Sequence, residues 1–267
     1  MPDVYSVITK ADERTVEILG DALELRATDS QQQQMLAEYL ARIRFPSGAQ
    51  VLEIGCGTGA ISRRLTAIEG IALVVGIDPS AGLLARARRL SEPTPRLSFQ
   101  EADGRDLPFE DGRFDVVVVH TVVSHVLYPE RLVSEAWRVL RSRGTAAFFD
   151  GDYSTITVAA APHDPLQSCA MACVAGFVND PWVVRRLPAM LTQAGFVDLQ
   201  FRSHGYAQIN EPAYMLSLID RGADVLRADG VIVDDLASAL KAEGRRRETE
   251  SSFFGHIAYA SLLASKA

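Results

Sequence analysis

A strand, a glycine-rich turn and a helix follow one another directly in residues 51–60, Val-Leu-Glu-Ile-Gly-Cys-Gly-Thr-Gly-Ala. The apolar run 51–54 predicts a buried strand, and Gly55, Gly57 and Gly59 come immediately after it. Glycine tolerates positive φ angles and, because it has no Cβ, lets a ligand lie flat against the backbone. The apolar spacing of residues 61–65 predicts that a helix begins at once. The stretch therefore predicts a ligand site at the end of a strand.

The glycine turn is compatible with two kinds of cofactor. Gly55-x-Gly57-x-x-Ala60 satisfies a permissive form of the dinucleotide-binding fingerprint, and Asp78 lies at a suitable distance to contact a ribose hydroxyl. Glu53 argues against a dinucleotide, because a turn that binds pyrophosphate has no use for a negative charge beside it. A carboxylate there can accept hydrogen bonds from the loop amides, or reach a ligand's ammonium group through water. The turn alone leaves the choice open.

Short apolar segments alternate with helical patterns over the first 150 residues. Strands are predicted at 51–54, 72–77, 97–101, 114–119 and 146–150, and helices at 60–69, 81–90 and 129–141. Strands that are apolar on both faces and alternate with helices predict an α/β fold with a parallel sheet covered on both sides. Ligands of such sheets bind at the carboxyl ends of the strands, beside the switch in strand order.

Polar residues stand at these predicted strand ends. Asp78 and Pro79 follow the second strand, where the acid can bind both ribose hydroxyls and the proline holds the turn. Asp103 and Gly104 follow the third strand, and Asp103 is placed to accept a hydrogen bond from an adenine amino group. The histidine-containing segment 120–126 follows the fourth strand. Together these residues predict a site for an adenosine-containing cofactor.

This series, in this order and at this spacing, resembles the class I methyltransferases that depend on S-adenosylmethionine (SAM). Residues 106–117, which begin Asp-Leu-Pro-Phe and end Phe-Asp-Val-Val, are similar to the ubiquinone/menaquinone-biosynthesis type and its small-molecule relatives. The chain departs from the family at residues 141–144, Arg-Ser-Arg-Gly, where Lys-Pro-Gly-Gly is usual. That turn is remote from the cofactor, so the change affects loop geometry rather than chemistry.

The resemblance implies a Rossmann-like, seven-stranded, mostly parallel sheet whose sixth and seventh strands form an antiparallel hairpin at its edge. It implies SAM as cofactor, S-adenosylhomocysteine (SAH) as product and a small-molecule methyl acceptor. The residues expected to contact the cofactor are Glu53, Gly55, Cys56, Gly57, Gly59, Asp78, Pro79, Asp103, Gly104 and His120.

The segments outside residues 50–150 complete one predicted domain over 1–267. Two N-terminal helices are expected within 1–46, and the core sheet within 47–203 and 252–267. A helix is predicted at 181–194, a sixth strand around 197–201 and a seventh at 252–263. Residues 204–251 contain two further helical patterns and are predicted to form a helical insertion, serving as a lid or a dimer contact.

Methyl transfer from a sulfonium is an in-line displacement, so the protein mainly positions the acceptor and excludes water. A general base is required only where the acceptor must lose a proton, as a phenol or an alcohol does. His125 is the candidate base, and a buried structural histidine is the alternative reading of it. His120 is a second candidate, although the resemblance places it near the sulfonium, where its backbone can matter more than its ring.

Composition restricts the range of partners. The net charge is −7 and the pI about 5.3, which argues against a nucleic-acid partner, since phosphate binding uses clustered Lys and Arg. Three cysteines provide no disulfide framework, and no segment has the pattern of a signal peptide or a membrane span. No set of His, Asp and Glu has metal-ligand spacing. We therefore expect a cytoplasmic monomer or homodimer with neither a metal nor a membrane partner.

Two other functions remain compatible with the sequence. An NAD-dependent oxidoreductase would use the glycine turn for pyrophosphate and would leave Glu53 and Asp103 without a role. A non-catalytic SAM-binding regulatory protein would keep the same cofactor residues without turnover.

Overall fold

The computed structural model describes residues 8–9 and 11–267, and its centre is a seven-stranded sheet of order β3-β2-β1-β4-β5-β7-β6. The strands are β1 Ala49–Ile54, β2 Ile71–Asp78, β3 Leu97–Glu101, β4 Phe114–His120, β5 Leu140–Thr157, β6 Phe196–Gln208 and β7 Gly255–Lys266. The helices are α1 Glu13–Thr28, α2 Ser30–Leu40, α3 Ala60–Thr66, α4 Ala81–Leu90, α5 Pro129–Val139, α6 Pro165–Phe177, α7 Val183–Ala194, α8 Ala213–Ala228 and α9 Asp234–Thr249. The predicted α/β fold class, including the N-terminal helices and the helical segment between β6 and β7, is confirmed.

Strands β1 to β5 run parallel, and β7 alone runs antiparallel to its neighbours β5 and β6. The central strands β1 and β4 are almost fully buried, because helices cover both faces of the sheet and their apolar side chains point to both. Two buried apolar clusters lie on the two faces of the sheet. Their packing places the carboxyl ends of β1, β2 and β4 side by side, where the strand order reverses.

Strand β5 is much longer than the predicted segment 146–150. It runs from Leu140 to Thr157, pairing with β4 on one side and with β7 on the other. The extensions contain polar residues and glycine, so apolar periodicity does not reveal them, and the pairing with β7 is a long-range contact that local sequence does not encode. The seventh strand likewise begins three residues later than predicted, at Gly255 rather than at residue 252, and extends to Lys266.

Helices α1 and α2 lie beside the carboxyl ends of the strands, and Asp29 joins them. Its side chain caps α2 by accepting from the backbone N–H of Gln32 at 3.0 Å. It also accepts from the Tyr206 hydroxyl at 3.0 Å and from Gln208 Nε2 at 2.7 Å. One carboxylate thus connects the start of α2 with the end of β6. Within the part of the chain that the structure describes, no helix is both long enough and apolar enough to cross a membrane.

Candidate active site

A cavity of about 330 Å³ lies at the carboxyl ends of the central strands and beneath α1. One part, the strand-end part, is bounded by the glycine turn and the ends of β2 and β4. The other, the helical part, is bounded by α2, α6, α8 and the far end of β5. Of the ten residues predicted to contact a cofactor, nine line this cavity. Gly59 is the exception: it is the N-cap of α3 with φ of 75°, and a Cβ there would come within 2.6 Å of Phe99.

The glycine turn has the left-handed backbone that its sequence predicts. Gly55 and Gly57 have φ angles of 72° and 51°. A Cβ at Gly55 would overlap the side chain of Val122, and one at Gly57 would come within 2.8 Å of Leu23. Both positions therefore require glycine for backbone angle and for space, which brings the turn close to α1 and to the segment after β4.

Asp78, at the end of β2, is buried and holds two backbone amides. Its Oδ2 accepts from Gly57 N at 2.9 Å and its Oδ1 from Ser80 N at 2.9 Å. Burial raises the pKa of the Asp78 carboxyl to about 6, while these two hydrogen bonds act in the opposite direction. Each carboxylate oxygen has a second lone pair available for a ribose hydroxyl.

Glu53 is fully enclosed inside β1 and accepts a hydrogen bond from the Ser62 hydroxyl on α3. Burial raises the pKa of its carboxyl to about 8, and the negative charge of nearby Asp78 adds to the shift. Glu53 is therefore mainly protonated at neutral pH in the free protein. It connects the glycine turn to α3 through Ser62, whereas the loop amide of Gly57 is held by Asp78.

Asp103, Gly104 and Pro79 also line the cavity, but the Asp103 carboxylate faces Arg105. Arg105 donates through Nε at 3.0 Å and through Nη2 at 2.6 Å, and this ion pair lowers the pKa of Asp103. A contact with adenine would thus use the oxygen lone pairs that Arg105 leaves available. Gly104 has a steric reason to be glycine, since a Cβ would come within 2.6 Å of Ile54.

His120 ends β4 and forms part of the cavity wall as a buried, neutral ring. Its Nδ1 lies 2.9 Å from the Tyr39 hydroxyl, and the ring stacks on Phe149 at a centroid distance of 4.6 Å. Burial, reinforced by the positive charge of Arg26, lowers the pKa of His120 well below its ordinary value. One ring nitrogen is therefore already engaged with Tyr39.

Thr121 has a backbone conformation that is rare for a β-branched residue, with φ of 53°. Its N–H donates to Phe149 O at 2.6 Å, and its hydroxyl donates to His120 O at 2.8 Å and accepts from Arg26 Nη2 at 2.6 Å. Such backbone strain persists where surrounding contacts enforce it, and it concentrates at functional sites. Here the strained turn places Val122 against the glycine turn.

His125 lies in the cavity wall, partly buried, at the end of a short 3₁₀ turn, Val123–His125. Its ring centroid is 6.4 Å from that of Tyr153. Asp150, fully buried on β5, holds the turn by accepting from Ser124 N at 3.0 Å and Ser124 Oγ at 2.9 Å. Burial raises the pKa of the Asp150 carboxyl, and the nearby His125 opposes the shift. The turn thus presents one histidine to the cavity, beside a buried acid.

Helix α1 extends over the cavity and is connected to three other elements by charged side chains. Glu24 pairs with Arg63 of α3 at 2.8 Å, and Asp21 pairs with Arg86 of α4 at 2.7 Å. Arg26 donates to Thr121 after β4, as described above. Leu23 and Arg26 of this helix line the cavity.

Several cavity residues could not be identified from the sequence. They belong to α2, β5, α6 and α8, and they include Gln32, Leu36, Ile156, Cys173, Val174, Phe177, Tyr214, Leu218 and Arg221. An amphipathic pattern predicts that a helix is present but does not specify which other element it meets. Cys173 lies four residues after Cys169 on the same face of α6, and both thiols are buried.

The strand order distinguishes the two cofactor classes that the glycine turn left open. A dinucleotide-binding sheet has the order 3-2-1-4-5-6. Here an antiparallel β7 lies between β5 and β6, which is the hairpin implied by the methyltransferase resemblance. With the glycine turn after β1 and the buried acid ending β2, the chain has the architecture of a class I methyltransferase.

Comparison with known proteins gives matches to methyltransferases. Residues 52–148 match the family model described as Methyltransferase domain. Phosphatidylethanolamine N-methyltransferase of Cereibacter sphaeroides is 43% identical over 100 residues, which cover 36% of this chain and 48% of that protein. Demethylmenaquinone methyltransferase of Symbiobacterium thermophilum is 30% identical over 128 residues, covering 46% of this chain and 51% of that protein. The chain thus spans about half the length of these curated relatives.

Solved structures extend the likeness of fold to most of the chain. A protein of Bacillus halodurans, described as a proposed methyltransferase, superposes with a TM-score of 0.60 at 19% identity, covering 86% of this chain and 98% of that one. Haemonchus contortus phosphoethanolamine N-methyltransferase 2, in complex with phosphomonomethylethanolamine and SAH, gives a TM-score of 0.56 at 17% identity, covering 87% of this chain and 52% of that one.

Proposed function

We propose that this protein binds SAM in the cavity and transfers its methyl group to a small organic molecule. The observation that carries the proposal is one continuous cavity with two kinds of wall. The glycine turn and Asp78 form a polar wall suited to the amino acid and ribose of SAM, and α2, α6 and α8 form a mainly apolar wall beyond it. The family match and the complex of a fold neighbour with SAH support this choice of cofactor.

The chemistry required of the protein is positioning. An acceptor seated between the SAM sulfonium and the helical wall would be held for in-line attack, with water excluded by α1 and α8. One curated relative is named as an N-methyltransferase of phosphatidylethanolamine, and the other is named for methylation of demethylmenaquinone. Because these named acceptors are chemically different, we propose transfer to an oxygen, nitrogen or carbon atom.

We infer that His125, rather than His120, is the general base for an acceptor that must lose a proton. His125 is only partly buried, faces the cavity and has the buried acid Asp150 close to it. His120 already contacts Tyr39 and Phe149, and its environment disfavours the protonated form that a base must adopt after accepting a proton. In this proposal His120 shapes the cavity wall.

The experiment for the reaction is a turnover assay with SAM carrying an isotopically labelled methyl group. The purified protein is incubated with phenols, amines and compounds bearing acidic C–H bonds, and SAH and labelled products are quantified. Label in at least one acceptor is expected. If SAH binds but no acceptor in the panel becomes labelled, the non-catalytic SAM-binding alternative is favoured.

The proposed base is tested by His125→Gln and His120→Gln with a phenolic acceptor from that panel. Loss of a general base costs about 100-fold or more in kcat. We expect that loss in kcat for His125→Gln with the phenolic acceptor. A smaller change, mainly in KM, is expected for His120→Gln. Equal kcat for His125→Gln and wild type would remove His125 from the chemistry.

A further inference from the structure

The residues Gln31 to Gln34 form a run of four glutamines at the start of α2, of which one side chain differs from the rest. Three have protein partners: Gln31 Nε2 donates to Ala207 O at 2.7 Å, Gln33 Nε2 to Ala27 O at 3.0 Å and Gln34 Nε2 to Glu38 Oε1 at 2.9 Å. Gln32 is the buried member, with 4% of its surface exposed. Neither its amide oxygen nor its amide nitrogen has a partner among the described residues.

Gln32 is one of the residues that line the cavity, together with Leu36 one helical turn later on the same face of α2. Its backbone is held in place, because Asp29 accepts from Gln32 N and is itself bound to Tyr206 and Gln208. A buried amide without a partner destabilises the folded state, because it has given up its hydrogen bonds to water and gained none. A polar group kept at such a position, in a cavity wall, is suited to a ligand that supplies the missing hydrogen bonds.

The surrounding wall restricts that ligand. The neighbouring elements contribute mostly apolar side chains: Leu36, Ile156, Val174, Phe177 and Leu218. Among the described lining residues, the only carboxyl groups are those of Glu53, Asp78 and Asp103, which all lie near the carboxyl ends of strands, away from the helical part of the cavity. Arg26 and Arg221 bring positive charge to the cavity. The positive charge disfavours a cationic ammonium compound, and the apolar side chains favour a ligand that is mostly uncharged.

We propose that Gln32 determines acceptor specificity by hydrogen bonding, through its amide, to a hydroxyl or carbonyl group on a neutral and otherwise apolar methyl acceptor. This assignment rests on the proposed function, since it requires the acceptor to lie in the helical part of the same cavity. An amide donates and accepts, so it can bind a hydroxyl with its oxygen and a carbonyl with its nitrogen.

The first test needs no ligand. In Gln32→Met an unbranched apolar side chain of similar length replaces the amide, and removing an unpartnered buried amide does not lower stability. We expect the ligand-free variant to melt at or above the wild-type temperature. A melting temperature several degrees below that of wild type would assign Gln32 a structural hydrogen bond and overturn the proposal.

The second test measures binding to SAH-loaded protein of two probes of similar shape, 1-naphthol and 1-methylnaphthalene. Wild type is expected to prefer the naphthol by about tenfold, the value of one hydrogen bond to a buried polar group. Gln32→Met is expected to bind both probes alike. The control is Gln34→Met, on the same helix but exposed and away from the cavity, and it should keep the wild-type preference.

The outcomes separate the two proposals. Failure of SAH to bind would count against the proposed function. If SAH binds normally, three results would overturn the role of Gln32 alone. Wild type shows no preference for the naphthol, neither probe binds, or Gln32→Met keeps the wild-type preference.

Discussion

At the scale of single residues, two buried carboxyl groups at adjacent strand ends perform different tasks. Asp78 holds the glycine turn through Gly57 and keeps lone pairs directed at the cavity, whereas Glu53 is enclosed and contacts Ser62. Burial raises both pKa values, to about 6 for Asp78 and about 8 for Glu53. At neutral pH the first is therefore mainly ionised and the second mainly protonated, which yields two predictions.

The first prediction concerns cofactor affinity. Ribose hydroxyls donate to an ionised Asp78, so SAH should bind about tenfold more weakly at pH 5 than at pH 7.5, as the carboxylate becomes protonated below its pKa of about 6. Asp78→Asn should bind weakly at both pH values. Calorimetric titration measures this, with Asp235→Asn on the exposed first turn of α9 as the control. Equal affinity of wild type at both pH values would exclude Asp78 as the ribose ligand.

The second prediction concerns stability. The pKa of Glu53 is raised in the folded state from 4.5 to about 8, so the folded protein binds the proton more tightly than the unfolded chain. The stabilisation from this protonated carboxyl is complete below the unfolded pKa and is lost as the pH rises through about 8.

Urea unfolding at pH 6 and pH 9 measures the loss. Both pH values are at or above the folded pKa of Asp78, which is about 6, so Asp78 contributes little to the change in unfolding free energy between them. Between pH 6 and pH 9 the free energy of unfolding of wild type should fall by on the order of 2 kcal/mol more than that of Glu53→Gln, because the glutamine cannot ionise. Parallel pH dependence of the two proteins would show that Glu53 is already ionised at pH 6.

At the scale of elements, the sequence predicts what is local and fails where a contact is remote. Helix α4 and strand β3 have the predicted bounds, because a capping Ser80 and local apolar spacing determine them. The residues expected to contact a cofactor were predictable as a group, because they lie at or just after the carboxyl ends of strands in a parallel sheet. The length of β5 and the cavity-facing residues of α6 and α8 depend on partners distant in the chain. No local pattern could therefore reveal them.

The packing of α6 against α8 gives the third prediction. Gly222 of α8 lies so close to α6 that a Cβ would overlap the backbone carbonyl of Cys169. Gly222→Ala should lower the free energy of unfolding by about 3 kcal/mol, because two helices would have to separate. Urea denaturation measures the change, with Gly205→Ala as control, where the nearest atom to a new Cβ is 3.8 Å away. A loss no larger than that of Gly205→Ala would show that the two helices separate freely.

At the scale of the whole molecule, the sheet supplies the strand-end part of the cavity, where we propose that SAM binds. The helices outside the family match supply the helical part of the cavity. The matched residues 52–148 contain the glycine turn and the polar strand ends, whereas α1, α2, α6 and α8 lie outside that match. The helices that form the rest of the cavity lie outside the matched region, which is why the sequence indicates the class of reaction and leaves the acceptor undefined.

The central claim is that the cavity binds the methyl donor, and calorimetric titration of the purified protein with SAH and with NAD tests it most directly. We predict one SAH bound per chain, weaker binding by Asp78→Asn, and no heat of binding with NAD. Saturation with NAD at one site per chain and no binding of SAH would contradict the account and assign the glycine turn to a dinucleotide.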